Sequence, residues 1–169
     1  VGDYNHFFDS AALLHGLTLA HTWRIGGLVD EAHNLVDRAR AMYSASLQSA
    51  TLRSVRAAAP AALKKPLDRL RRSWTRLITG TTQAYTVLDE PPRAFASALQ
   101  DATESISQHL AHSPTKVDSA LLQFYFDALQ FTRLLDTFGT HSLFDVTLDP
   151  GTGSSRRHAG STLCVRNVL

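Results

Sequence analysis

The stretch from Val117 to Phe138 constrains this chain more than any other. Val117, Leu121, Phe124, Ala128, Phe131, Leu135 and Phe138 are spaced alternately four and three residues apart, which lines them up on one stripe of an α-helix. Leu122, Tyr125, Phe126, Leu129 and Leu134 add a second apolar side. A helix apolar over so much of its circumference cannot stand alone in water and belongs in the middle of a bundle, with Tyr125, Phe124 and Phe126 in the core. Gly139 is placed to cap it.

The remaining periodicity predicts helices around it. From Asn34 to near Pro60, Leu35, Ala39, Met42 and Ser46 form one stripe, with Val36, Tyr43 and Leu47 beside it. Pro66, tolerated in a first turn, opens the next helix, whose buried side is Leu67, Leu70, Trp74 and Leu77. A third runs from Arg93 to Ala111 with Phe95, Leu99, Ala102, Ile106 and Leu110 inward, until Ser113-Pro114 breaks it. Near the start, Ser10 is a candidate N-cap for a short helix carrying Leu13, Leu14 and Leu17. Trp23 to Val29 reads as a strand buried on both faces. Residues 140–161 read as irregular, with a turn cluster at Asp149 to Ser155. Thr162 to Leu169 has strand composition and no partner nearby in sequence, which suggests a missing sheet. The expected fold class is mainly α, a four-helix bundle with one or two short strands.

Composition narrows the function classes. A chain of 169 residues that is 44% hydrophobic is about one domain with a real core. One cysteine excludes a disulfide framework and any cysteine-rich metal cage built by this chain alone. No apolar run approaches the roughly 18 residues of a membrane span. Val1 stands where a start Met would, and no leader pattern follows, so the expectation is a soluble intracellular piece of something longer. The net charge of +2 says little, but ten basic residues lie between Arg38 and Arg76 against one acid, Asp68. Arg69, Arg72 and Arg76 share a helix side, and Lys64 and Lys65 precede them. Such a row can attract phosphates, although charge runs more often coat a solvated helix face.

The chemistry concentrates in Leu28-Val29-Asp30-Glu31-Ala32-His33-Asn34-Leu35. Adjacent carboxylates at the end of a buried strand sit where open parallel sheets bind ligands. In phosphoanhydride cleavage, Asp30 would hold Mg²⁺ through water, since that ion prefers hard oxygen ligands and keeps several waters. Glu31 would orient the attacking water, and His33 would couple nucleotide state to its neighbours. Elsewhere, His109 and His112 lack a third metal ligand. Trp74 and Tyr85 could stack bases, but Trp74 shares the apolar spacing of its helix. Cys164 reads as a small core residue. No GxSxG elbow supports a hydrolase.

With its flanks, Val29-Asp30-Glu31-Ala32-His33-Asn34-Leu35-Val36-Asp37-Arg38 resembles the Walker B (DEAH) motif of the iron–sulfur superfamily 2 DNA helicases, the xeroderma pigmentosum group D and DinG-like group. Asp3-Tyr4-Asn5-His6-Phe7-Phe8-Asp9 is similar to the family's aromatic-rich segment ahead of that motif, and Thr162 to Leu169 to the strand returning to the first motor domain. The resemblance implies that residues 1–39 are a remnant of a RecA-like α/β motor domain, 40–145 the helical arch, and 146–169 the loop and returning strand. It implies ATP and Mg²⁺ at Asp30 and Glu31, with Glu31 as catalytic base and His33 as coupler. It also implies a 4Fe-4S cluster whose ligands lie outside this chain, and an arch that guides single-stranded DNA during 5′→3′ translocation. Its partners would be that DNA and the rest of the helicase motor, with protein partners able to dock on the arch and no membrane. The setting would be cytoplasmic, nucleoid-associated and bacterial, in repair or replication stress. No GxxxxGK[ST] phosphate loop occurs, so the piece by itself is expected neither to hydrolyse ATP nor to unwind DNA. Two other readings stay open, a helical protein-interaction module with Asp30 to His33 silent, and a complete small ATPase, which the missing phosphate loop opposes.

Overall fold

A computed structural model of the chain describes residues 12–81, 83–112, 118–149 and 160–167. The aromatic segment at 3–9, the Ser10 cap and the turn cluster beyond Asp149 lie outside the described residues. The chain divides into two compact units, Val1–Tyr43 and Ser44–Leu169.

In the first unit, α1 (Leu13–Ala20) is followed by a 3₁₀ turn at Ala32–Asn34 and by α2 (Leu35–Met42). The strand expected at Trp23 to Val29 is absent. Those residues form no ladder, and Trp23, Ile25 and Leu28 are exposed, Leu28 completely. A strand buried on both faces needs neighbouring strands to take its backbone bonds, and residues 12–43 supply none.

The second unit holds β1 (Ser44–Gln48), α3 (Ser49–Ala58), α4 (Ala61–Thr79), β2 (Tyr85–Leu88), α5 (Arg93–His112), α6 (Ser119–Asp136), β3 (Ser142–Asp149) and β4 (Gly160–Asn167). The chain is mainly helical, as the periodicity predicts, but the one or two leftover strands are instead a four-stranded antiparallel sheet in the order β1-β4-β3-β2. Three expectations change with it. The single helix from Asn34 to Pro60 is interrupted by β1, which pairs Leu47 with Leu163. The stretch at 140–161 contains β3, with Phe144, Val146 and Leu148 facing inward at period two. The late strand has partners on both sides, β1 and β3, so no missing sheet is needed to explain it. The second unit begins at Ser44 and includes β4 together with the helices.

Local chemistry sets the helix limits. Ala59 is extended (ψ 144°) because Pro60 follows it, and this ends α3. Ala61 and Ala62 are strong helix formers, so α4 starts ahead of Pro66, which sits inside the helix rather than at its first turn. Asp118 caps α6 by accepting the Ala120 N–H at 3.1 Å. The helices supply Leu63, Leu67, Leu70, Trp74, Phe95, Leu99, Ile106, Phe124 and Phe131 to a core that also takes Phe144, Leu163 and Val165 from the sheet. At its centre Phe95 meets Trp74, Phe131 and Phe144 edge-on, with ring centroids 5.6–6.2 Å apart, the arrangement the ring quadrupoles favour. Phe124 is buried as expected, whereas Tyr125 is half-buried and Phe126 is 56% exposed. The apolar arc of α6 is wider than the surface this unit covers. No helix among the described residues is long and apolar enough to cross a membrane.

Candidate functional site

Asp30, Glu31 and His33 are held together by one tight turn in the first unit. Glu31 adopts the left-handed conformation (φ 53°, ψ 38°), which costs a non-glycine residue about 1–2 kcal/mol. Two local contacts help offset this. The Asp30 Oδ1 accepts the Glu31 N–H at 2.8 Å, and His33 Nε2 lies 3.3 Å from Glu31 Oε2. The Glu31 carbonyl accepts the Asn34 N–H at 3.0 Å, starting the turn that leads into α2. The three functional side chains are all solvent-exposed, so the turn presents two hard carboxylates and an imidazole to solvent. The pair fits the carboxylate half of a Mg–ATP site, in which the ion is held through water by one such group. The 169 residues contain no GxxxxGK[ST] phosphate loop to complete such a site.

The basic residues lie on α4 of the second unit. Lys65, Arg69, Arg72 and Arg76 are spaced to share one helix face, while Lys64 falls with Asp68 and Arg71 on the adjacent one. Arg69 is tied to Asp101 of α5 at 2.6 Å. Asp68 takes a bidentate pair from Arg56, both bonds 2.9 Å, and a longer contact from Arg71 at 3.5 Å. The Arg56 hydrogen bond holds the Asp68 carboxyl below its usual range, and Arg56 is raised in turn. Lys64, Lys65, Arg72 and Arg76 are exposed and make no ion pair among the described residues. The charge available to a ligand is therefore not the full arginine row, because Arg69 is committed within the fold.

Other candidates resolve differently. Trp74 is core, its Nε1–H donating to Ser161 Oγ at 2.9 Å. Tyr85 is half exposed on the open face of the sheet. His112 Nδ1 is bonded to the Gln108 carbonyl oxygen at 2.7 Å, and among the described residues no three metal-ligating side chains converge. Cys164, expected in the core, is half-buried on the outer sheet face, opposite Asp145. Burial, then the Asp145 charge, pushes its thiol up. Alone, it cannot ligate a 4Fe-4S cluster.

Asp145 itself is fully buried and accepts the Arg166 Nε–H at 2.8 Å through Oδ2, while Oδ1 has no partner among the described residues. That hydrogen bond raises Arg166. Sequence reading missed this pair, since Asp145 and Arg166 become neighbours only through the β3–β4 register. It also passed over a cavity of about 140 Å³ between α3 and α4, lined by Arg53 and Arg71. A scan against protein-family models and a search of the curated proteins both return no match.

Proposed function

We propose that this chain is part of an ATP-dependent DNA helicase of the iron–sulfur superfamily 2 type, contributing a Walker B acid pair and an arch-type helical unit. The single observation that carries the reading is the motif Val29 to Arg38, with Asp30 and Glu31 exposed on a turn that leads directly into a helix. In the assembled motor, Mg–ATP would supply the electrophilic phosphoryl group and its charge-neutralising ion. Asp30 would hold the ion through water, Glu31 would accept the proton of the attacking water, and His33, already against Glu31, would report its state to neighbouring motifs. Exposed Leu13, Leu19, Trp23, Ile25 and Leu28 support a missing partner surface for the first unit.

On the second unit, Lys64, Lys65, Arg72 and Arg76 would bind the phosphates of a single strand. Fluorescence anisotropy with single-stranded DNA at two salt concentrations tests this. Binding should weaken steeply with salt. Lys65→Ala, Arg72→Ala and Arg76→Ala each remove one phosphate partner, and each should lower the logarithmic salt slope by about 0.7. Arg69→Ala should change it less. Binding that ignores salt and these variants overturns the DNA role. In the intact helicase, Glu31→Gln should abolish DNA-stimulated ATP turnover, and unchanged turnover would remove the helicase reading itself.

One observation favours the protein-interaction reading for the second unit. Tyr85, Val87 and Leu143 are exposed on the outer sheet face. A unit that binds no DNA in the anisotropy assay would be assigned to that role.

A further inference from the structure

We propose that the outer stripe of α6 is a self-association face, on which a second copy of this chain packs its own α6 antiparallel across a two-fold axis. The proposal rests on neither the nucleotide nor the DNA reading, since none of the residues those invoke lies on α6.

Asp118, Leu122, Tyr125 and Leu129 follow one another four, three and four residues apart, with Phe126 and Arg133 alongside. That spacing gathers all six into one arc of the helix surface. The fold buries a different arc, made of Leu121, Phe124, Ala128, Phe131 and Leu134. Leu122, Tyr125 and Leu129 are only partly covered. Phe126 is 56% exposed, with its ring against Tyr125 and centroids 5.7 Å apart. A contiguous apolar stripe bordered by charge marks a contact surface. The polar side chains beyond it are engaged elsewhere. Gln123 donates to Asp127 at 2.9 Å, and Gln130 donates to the Ser44 carbonyl oxygen at 3.3 Å.

The order of residues along the stripe identifies the occupant. With a two-fold axis between Tyr125 and Phe126, residues equally distant on either side of it meet across an antiparallel helix pair. Tyr125 then faces Phe126 of the second copy, Leu122 faces Leu129, and Asp118 faces Arg133. Apolar meets apolar at the centre and opposite charges meet at both ends, so the stripe is complementary to itself. A parallel pair would instead set Asp118 against Asp118 and Arg133 against Arg133. Asp118 Oδ1 accepts the Ala120 N–H, which leaves Oδ2 for a cation. Arg133 is exposed and makes no ion pair among the described residues. Asp136, the next acid on this side, falls past the start of the second copy's α6. One helix from each copy buries less than the roughly 1,200 Å² of a standard interface, so the dimer is weak and concentration-dependent.

Sedimentation equilibrium on the full chain, from low micromolar to near-millimolar concentration, should show a monomer–dimer equilibrium. Phe126→Ala removes the ring beside the axis and should weaken the dimer at least about tenfold. Circular dichroism melting checks that this and the other variants fold. Arg133→Asp sets two acids together at each end, Asp118→Arg sets two cations together, and each alone should abolish association. An equimolar mixture of those two variants regains opposite charges at both ends and should dimerise as the parent chain does. Should Asp118→Arg lose its helix cap and unfold, disulfide trapping decides instead. With the chain's one cysteine removed by Cys164→Ser, Phe126→Cys should cross-link to itself and Gln123→Cys should not. A chain that stays monomeric throughout overturns the proposal, whatever else binds the stripe. So does a dimer lost on Val87→Lys but kept on Phe126→Ala, which would place the contact on the sheet. A mixture of the two folded charge variants that remains monomeric overturns it as well.

Discussion

The two units spend their apolar side chains in opposite ways. Among the described residues of the first, Thr18 alone is buried, while Leu13, Leu19, Trp23, Ile25 and Leu28 face solvent. In the second, every helix and the sheet feed one core centred on Phe95. Residues 12–43 form helical turns from local preference, and residues from 44 onward form elements because tertiary burial stabilises them. Stability should therefore reside almost wholly in the second unit.

The largest effect that could break this contrast is Phe95→Ala. It should cost about 3–5 kcal/mol in urea unfolding, enough to threaten the unit. Leu28→Ala should stay within about 0.5 kcal/mol, and equal costs would erase the distinction. Next is Arg166→Ala, which strands the buried Asp145 carboxylate and should cost about 3 kcal/mol. Replacing both Asp145 and Arg166 by Val should recover most of that deficit, because the desolvated charge goes with its partner.

A smaller effect appears on the acid limb. The Asp68 carboxyl is held below its ordinary value by the Arg56 hydrogen bond. Its contribution is therefore present above the unfolded-state value and disappears as pH falls through the lowered folded one. Asp68→Asn should flatten the acid side of the melting profile without altering its slope above neutrality. The smallest effect is at Cys164, whose raised thiol should alkylate more slowly at pH 8 than a free cysteine. Asp145→Asn should speed the reaction, though only in part, because burial is the larger cause of the raised thiol.

What was legible follows the same divide. The α5 and α6 patterns could be read because Phe95, Leu99 and Ile106, and likewise Leu121, Phe124 and Phe131, repeat at helical spacing and are buried there. The β3 signal was present in the alternation of Phe144, Val146 and Leu148, but its polar intervening residues resemble a loop. Ser44–Gln48 carries no strand signal of its own. Its state is decided by pairing with β4, where sheet context outweighs intrinsic preference. At the candidate site, Asp30 to His33 stood out as a motif, while the left-handed Glu31 did not. The commitment of Arg69 to Asp101 was hidden because it depends on how α4 and α5 pack.

The position of β4 between β1 and β3 also bears on biosynthesis. Ser44 pairs with Arg166, and contacts spanning roughly a hundred residues slow folding because their closure entropy must be met first. While a ribosome is still making the segment that becomes β4, β1 and β3 have no strand between them and their ladder groups are open. The emerging chain then carries two adhesive edges at once, and shielding by a chaperone would matter most in that interval.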